Sequence, residues 1–305
     1  MPKVLLFPGQ GSQVIGMGKS FYEQSLLARQ YFDWADQCLP FSLTKICFEG
    51  PEDLLKETRV CQPALYVLGY IIFACLKEKN YFEKGIACAC GLSLGELTAL
   101  AVAEVFDFKT GLHLVTERGR LMQEACDLAP TGMLSLIGGS IEATEQLCRS
   151  LDLDVANLNC PGQIVVSGTL DALNKAQIGA KDLGFKLAIP LKVAGAYHSR
   201  WMQSARDNFE KVLAPIPFRP PVITVLANTT GGAMEDPEQI KQALGKQITS
   251  TVQWESCLRW LVNKNCIHCL ECGPGSVLAG LAKRTDSALE VTLLNEWEHV
   301  SSLIR

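Results

Sequence analysis

Residues 85–95 read Gly-Ile-Ala-Cys-Ala-Cys-Gly-Leu-Ser-Leu-Gly and carry the clearest local signal in the chain. The first six are small and apolar, which is typical of a central strand packed on both faces. We predict that a helix from Glu96 to about Val105 follows. Between strand and helix lies Gly91-Leu92-Ser93-Leu94-Gly95, a G-x-S-x-G pattern that indicates a sharp strand-to-helix turn.

Such a turn exposes the Ser93 hydroxyl at the N-terminus of the following helix. Free N–H groups and the helix dipole at that end favour a developing negative charge, and the Leu94 N–H is the natural first donor. The flanking glycines remove Cβ atoms that would clash in the turn. A serine in this place can also act only as a helix cap, so a catalytic interpretation requires a base from elsewhere in the chain.

Strand-like and helix-like segments alternate on both sides of this turn. Residues 3–7 and 222–227 resemble buried strands, and residues 61–77 and 110–126 resemble helices. This alternation predicts an α/β fold with a mostly parallel sheet. Because the G-x-S-x-G turn is typical of α/β hydrolases, we expect an α/β-hydrolase-like core.

The middle of the chain has a different pattern. Its segments predict the order β-α-β-β-α-β, which is ferredoxin-like. The predicted strands lie at 132–138, twice within 154–168 and at 185–193, and the helices at 141–151 and 170–183. We therefore predict a small ferredoxin-like domain at 127–196, inserted between the two parts, 1–126 and 197–305, of a large domain.

The composition is that of a globular protein with a sizeable core. Of the 305 residues, 48% are hydrophobic and 20% are charged, with a net charge of -4. This mild acidity argues against nucleic acid as a partner, because phosphate binding needs an excess or cluster of Lys and Arg. The longest apolar stretch, residues 64–76, is too short to cross a bilayer and predicts a buried helix. With no secretory signal pattern, we expect a cytoplasmic protein with no membrane segment.

The 13 cysteines predict reduced, mostly buried thiols of a cytosolic protein. The tightest group is Cys266, Cys269 and Cys272, with His268 among them. Residues 266–272 resemble a short buried strand, in which Cys266 and Cys272 would face one side and Cys269 the other. No fourth ligand follows at iron–sulfur spacing, so we expect no metal site.

A candidate base for Ser93 comes from only four histidines. His198 follows Gly195-Ala196-Tyr197 at the predicted return of the chain to the large domain, where a side chain can reach a cleft between domains. An ordinary α/β hydrolase places an Asp or Glu between the serine and the histidine in chain order. The spacing alone leaves the partner of His198 open.

Several motifs together resemble one family over nearly the whole length. The chain is similar to the malonyl-CoA:acyl-carrier-protein transacylases of fatty acid synthesis and the related acyltransferase domains of polyketide synthases. The matching stretches are Phe7-Pro8-Gly9-Gln10-Gly11-Ser12-Gln13, Gly91 to Glu96, Arg118-Gly119 with Met122, Asn159-Cys160-Pro161-Gly162-Gln163, Gly195-Ala196-Tyr197-His198-Ser199, Gln247 to Trp254, and Glu271-Cys272-Gly273-Pro274-Gly275.

The resemblance implies a role for each of these motifs. Ser93 would be the acylated nucleophile and His198 its base, with Gln247 orienting His198 through its backbone carbonyl. Gln10 and the Leu94 N–H would form the oxyanion hole. Arg118 would hold the malonyl carboxylate, since a guanidinium can pair with a carboxylate in a bidentate manner. The implied substrate pocket contains Arg118, Met122, Tyr197 and Asn159.

The resemblance further implies malonyl-CoA as the substrate, an acyl carrier protein as the partner, no cofactor and no metal, and we expect a monomer. Carrier proteins are acidic, so a basic surface should bind them. The candidates for that surface are Lys192, Arg200, Lys283 and Arg284.

Three positions depart from the family pattern. Leu92 replaces a frequent His, Leu97 a frequent Tyr, and Tyr197 the Phe of malonyl-selective members, which leaves the exact acyl specificity open. Two other functions remain as alternatives: a carrier-protein thioester hydrolase, which would not need Arg118, and a non-catalytic module that only docks the carrier.

Overall fold

The computed structural model describes residues 3–82 and 85–304. The strands of its larger sheet are β1 (Lys3–Phe7), β2 (Ile86–Gly91), β7 (Thr224–Leu226), β8 (Ala233–Met234), β9 (His268–Cys272) and β10 (Glu290–Leu294). Their order in the sheet is β10-β9-β1-β2-β7-β8, and every pairing is parallel except that of β7 with β8. This confirms the predicted α/β class with a mostly parallel sheet.

Helices cover both faces of this sheet, as parallel sheets require. In the part of the chain before a second, smaller sheet, the helices are α1 (Lys19–Gln24), α2 (Leu26–Cys38), α3 (Leu43–Glu49), α4 (Glu52–Lys56), α5 (Thr58–Glu78), α6 (Leu94–Val102) and α7 (Phe108–Cys126). After it come α10 (Gln203–Leu213), α11 (Pro237–Gln247), α12 (Trp254–Asn263), α13 (Val277–Thr285) and α14 (Trp297–Leu303). The predicted helix 96–105 begins two residues earlier and ends three earlier.

Helix α5 is the apolar segment predicted to be buried. The helix has 21 residues and so extends beyond the apolar stretch 64–76, which by itself is too short to cross a bilayer. Its length and composition alone would allow it to cross a membrane, but 89% of its most apolar window lies inside the protein. It packs closely on α7 at Gly119, where the absence of a side chain allows the approach: a Cβ at this position would lie only 2.7 Å from the backbone oxygen of Thr58. This close approach brings the first turns of α5 next to the middle of α7, where Arg118 lies.

The smaller sheet is antiparallel and has the order β4-β5-β3-β6. Its elements are β3 (Thr131–Ile137), α8 (Ile141–Leu151), β4 (Asp154–Cys160), β5 (Gln163–Thr169), α9 (Leu170–Gly179) and β6 (Leu187–Pro190). They follow the predicted order β-α-β-β-α-β. The domain boundaries themselves stay a prediction, and their outer limits, residues 1 and 305, lie outside the described residues.

The two sheets are joined beside the carboxyl ends of the parallel strands. The Leu158 N–H donates to the Val252 carbonyl at 2.9 Å, and the Val252 N–H donates to the Ala156 carbonyl at 2.8 Å. Strand β4 is thereby held against the loop that precedes α12. This contact closes one side of a cleft between the two sheets.

The prediction for the cysteine-rich segment was wrong in one respect. Strand β9 begins at His268, so the alternation of faces does not extend back to Cys266. Cys266 packs against the same apolar cluster as Cys269, and Cys272 belongs to the cluster on the opposite face. Within residues 3–82 and 85–304, no group of three or more His, Cys, Asp or Glu side chains is placed to hold a metal ion.

Candidate active site

Ser93 occupies the strained turn between β2 and α6. Its backbone has φ 52° and ψ -103°, a conformation that a non-glycine residue rarely adopts. A Cβ at Gly91 would lie 2.0 Å from the Gly95 carbonyl carbon, and a Cβ at Gly95 would lie 2.1 Å from the Phe7 carbonyl oxygen. The two glycines are therefore required by contact with backbone, as the G-x-S-x-G pattern predicts.

Asn228, which sequence reasoning missed, holds this turn in place from the turn that follows the neighbouring strand β7. Its Oδ1 accepts from the Ser93 N–H at 2.6 Å, and its Nδ2 donates to the Gly91 carbonyl at 2.8 Å. The Ser93 N–H is thus already used. Leu94, at the first position of α6, has an N–H with no acceptor within the helix, which leaves this group for an oxyanion. The feature of the sequence that could have indicated this role is an Asn two residues after the end of β7.

The hydroxyl of Ser93 and the imidazole of His198 lie within hydrogen-bond distance. Ser93 Oγ is 2.8 Å from His198 Nε2, and His198 Nδ1 is 2.8 Å from the backbone oxygen of Gln247. Since a carbonyl only accepts, Nδ1 must carry the proton, and Nε2 is left as an acceptor for the serine hydroxyl. This is the geometry that a general base needs.

Burial and charge keep His198 neutral. Burial first, and the positive charge of Arg118 second, lower the pKa of His198 to about 4, while its hydrogen bond to Gln247 acts in the opposite direction. The side chain is 4% exposed. At neutral pH the imidazole is therefore free to accept a proton.

Arg118 is buried on α7 with its guanidinium directed at Ser93. Its Nη2 donates to Ser93 Oγ at 3.1 Å and to Gln247 Oε1 at 2.8 Å, and its Nη1 donates to Gln62 Oε1 at 2.9 Å. Burial lowers the pKa of Arg118 to about 10, so the group stays cationic at neutral pH. Its ligands are amide and hydroxyl oxygens, which leaves the positive charge without a directly bonded carboxylate among the described residues.

Glu96 is a second residue whose importance the sequence did not show. It lies in the first turn of α6, is 2% exposed, and accepts from the Asn228 N–H at 3.0 Å and from Gln247 Nε2 at 2.6 Å. Burial raises the pKa of this carboxyl group to about 7, and the two hydrogen bonds and Arg118 oppose the shift. An acidic residue within an otherwise apolar helix start was the signal.

A cavity of about 250 Å³ opens in front of Ser93. It is lined by eight of the nine predicted site residues, namely Gln10, Ser93, Leu94, Arg118, Met122, Asn159, Tyr197 and His198. The ninth, Gln247, lies behind His198 and Arg118 and contacts both. The Asn159 Oδ1 atom is buried without a partner among the described residues, so it is available to a bound molecule.

The departures from the family pattern have distinct surroundings. The Tyr197 hydroxyl lies 2.5 Å from Thr58 Oγ1, and Gln10 Nε2 donates to it at 3.3 Å. Burial raises the pKa of Tyr197, so it stays protonated. Leu92 lines the cavity, whereas Leu97 is fully buried in the core. The extra hydroxyl of Tyr197 is therefore bonded within the protein.

A serine hydroxyl, a neutral imidazole and a free helix N–H at the carboxyl end of a parallel strand define the class of acyl-transfer enzymes. The comparisons agree with this class. The family described as acyl transferase domain has a model that matches residues 4–295, and the chain belongs to that family.

Relatives and solved structures resemble the chain over nearly its whole length. A malonyl CoA-acyl carrier protein transacylase of Bacillus subtilis is 36% identical over 305 residues, which cover 98% of this chain and 95% of the relative. An acyl-carrier-protein-S-malonyltransferase from Bartonella henselae, 33% identical, superimposes with a TM-score of 0.95 over 100% of this chain and 99% of its own. A malonyl-transacylase in complex with a type II polyketide synthase acyl-carrier protein gives the same TM-score at 32% identity, over 100% of this chain and 99% of its own.

Proposed function

We propose that this protein transfers a malonyl group from malonyl-CoA to the phosphopantetheine thiol of an acyl carrier protein, through an ester on Ser93. The observation that carries the proposal is the buried Arg118 guanidinium, whose Nη2 lies 3.1 Å from Ser93 Oγ. A fixed cation beside the nucleophile selects an acyl group that ends in a carboxylate. The names of the relatives support this substrate, and the solved complex supports a carrier protein as the partner.

In the first half-reaction, Ser93 Oγ attacks the thioester carbonyl carbon while His198 Nε2 takes the hydroxyl proton. The negative charge that develops on the carbonyl oxygen is stabilised by the Leu94 N–H and the Gln10 amide. When the C–S bond breaks, His198 returns the proton to the CoA thiolate. The malonyl-serine ester remains, with its carboxylate on Arg118.

In the second half-reaction, the carrier thiol gives its proton to His198 and attacks the ester carbonyl. The C–O bond to Ser93 then breaks and His198 protonates Ser93 Oγ, which restores the enzyme. Met122, Tyr197 and Asn159 line the pocket around the acyl chain, and Tyr197 fills space that a larger acyl group would need. None of these steps needs a metal or a redox cofactor.

We assign the carrier contact to exposed basic residues near the cavity. Arg284 lines the cavity mouth, and Lys283 and Lys192 are exposed. Arg200 is the weakest candidate, because it already pairs with Asp152 at 2.7 Å and with Asp154 at 3.8 Å. We further propose that the protein is a monomer in the cytoplasm. The abundance of unpaired cysteines supports the cytoplasmic location, because disulfides are rare in that compartment.

Intact-protein mass spectrometry tests the proposal. The protein is mixed with malonyl-CoA and then with carrier protein, and we expect a malonyl adduct on Ser93 that moves to the carrier. The Ser93→Ala variant should form no adduct. Rapid release of free malonate would instead indicate the thioester hydrolase, and the absence of any adduct would indicate a docking module.

A further inference from the structure

Glu96 is a buried carboxyl group that none of the proposed steps uses. It lies in the first turn of α6, one turn below Ser93, and no Lys or Arg side chain pairs with it directly in the described structure. Burying a carboxyl group without a cationic partner costs free energy of folding. A functional role would explain why the protein keeps this group at the site. Its hydrogen bonds lead to Gln247 and, through Gln247, to Arg118.

The Gln247 side chain links three parts of the site. Its Nε2 donates to Glu96 Oε2 at 2.6 Å and to the Ser93 carbonyl at 3.0 Å, while its Oε1 accepts from Arg118 Nη2 at 2.8 Å. Glu96 Oε2 also accepts from the Asn228 N–H, so this atom faces Gln247 as an acceptor, and a guanidinium only donates hydrogen bonds. Glu96 and Arg118 therefore force one orientation on the amide between them, since a flipped amide would oppose oxygen to oxygen and N–H to N–H.

This orientation also fixes the guanidinium. Arg118 is held on one nitrogen by Gln62 Oε1 and on the other by Gln247 Oε1, so its direction toward Ser93 depends on both amides. The Gln62 amide is held in turn, because its Nε2 donates to Met122 Sδ at 3.5 Å. Sulfur is a weak acceptor, whereas the Glu96 carboxyl group is a strong one. Glu96 thus provides the firmer of the two anchors.

We propose that Glu96 is a positioning residue that orients the Gln247 amide, directs Arg118 toward the acyl group on Ser93, and thereby sets the preference for a carboxylated acyl group. The proposal rests on the proposed function of Arg118. It assigns Glu96 no contact with substrate. Its effect therefore falls on the choice between malonyl and acetyl groups rather than on the chemistry of Ser93 and His198.

The test compares the rates at which malonyl-CoA and acetyl-CoA load Ser93 in the wild type and in Glu96→Gln, Glu96→Asp and Glu96→Leu. Glu96→Gln keeps an acceptor for Gln247, so its malonyl-to-acetyl ratio should stay within about threefold of the wild type. Glu96→Leu removes the acceptor for Gln247, and Glu96→Asp shortens the side chain so that its carboxyl group lies farther from Gln247. In both, the ratio should fall about tenfold or more, mainly through a higher KM for malonyl-CoA.

Melting temperatures show which variants are folded, and Glu96→Asp decides the matter where Glu96→Leu does not fold. An equal fall in the malonyl and acetyl rates of Glu96→Asp would mean a purely structural role and would overturn the proposal. A wild type that loads malonyl normally, with unchanged ratios in all folded variants, would overturn it while leaving the proposed function intact. A wild type that forms no malonyl adduct would overturn both.

Discussion

His198 Nδ1 lies 2.8 Å from the backbone oxygen of Gln247, so the partner of the base is a main-chain atom rather than an acidic side chain. The Gln247 side chain is occupied elsewhere, with Glu96, Ser93 and Arg118. The two parts of this one residue thus serve two different parts of the site, and substitution can separate them.

Gln247→Ala should retain proton transfer by His198, because the backbone carbonyl remains. We expect the malonyl loading rate to fall about tenfold, through loss of the bonds to Arg118 and Ser93. In His198→Ala the malonyl loading rate should fall about a thousandfold, since this substitution removes the base. Stopped-time mass spectrometry of the Ser93 adduct measures both rates. Equal losses in the two variants would show that the carbonyl alone does not orient the imidazole.

Arg118→Ala should lose malonyl loading by about a hundredfold or more while acetyl loading is kept or increased, because only malonyl carries a carboxylate for the guanidinium. Arg118→Lys should not restore malonyl loading, since one ammonium group cannot reach Gln62 and Gln247 in the same fixed geometry. Competition between the two CoA esters gives the ratio directly. An unchanged malonyl preference in Arg118→Ala would remove this residue from substrate selection.

The loading rate at low malonyl-CoA concentration should stay nearly constant as the pH falls from neutral, and should decline only near the lowered pKa of His198, about 4. The rate depends on pH in this direction because His198 acts as a base only when it is neutral. A lowered pKa keeps His198 neutral further into the acid range. Glu96, whose pKa is raised to about 7, titrates within the same interval. Repeating the profile with Glu96→Gln therefore isolates His198. A decline centred on the ordinary pKa of histidine would contradict this account.

Tyr197→Phe should keep the shape of the pocket but lose the hydroxyl that contacts Thr58 and Gln10. The free energy of unfolding should fall by about 1 kcal/mol. The loading rate should fall several-fold because Gln10 is held less firmly over the oxyanion position. Thr58→Val is the matched variant, and the double variant should lose little more than either one. Full additivity of the two losses would show that the hydroxyls do not act together.

Gly95→Ala should destabilise the protein, although alanine is the better helix former, because its Cβ would lie 2.1 Å from the Phe7 backbone oxygen in the central strand. We expect a loss of several kcal/mol, measured by chemical denaturation. Gly280→Ala is the control: this residue lies inside α13, and an added Cβ would have no atom within 4 Å apart from its chain neighbours and the backbone of its own helix. It should gain about 0.5–1 kcal/mol. A neutral Gly95→Ala would show that the turn can relax.

Sequence alone determined the features that depend on local pattern. The small apolar run before Gly91 predicted β2, the G-x-S-x-G spacing predicted the strained turn at Ser93, and the segment order in 127–196 matched the smaller sheet. These succeed because strand alternation, helix periodicity and glycine at crowded turns each leave a trace within a few residues. The motifs of the family resemblance added the remaining site residues, which the structure brings around one cavity.

Only the tertiary structure decided what supports those residues. Asn228 and Glu96 are 132 positions apart along the chain, yet they meet because β2 and β7 are parallel neighbours and their carboxyl ends share one edge of the sheet. No local period records such a contact. The partner of His198 is equally invisible in the spacing, because a backbone oxygen is present in every residue and its position is set by the packing of the chain around it.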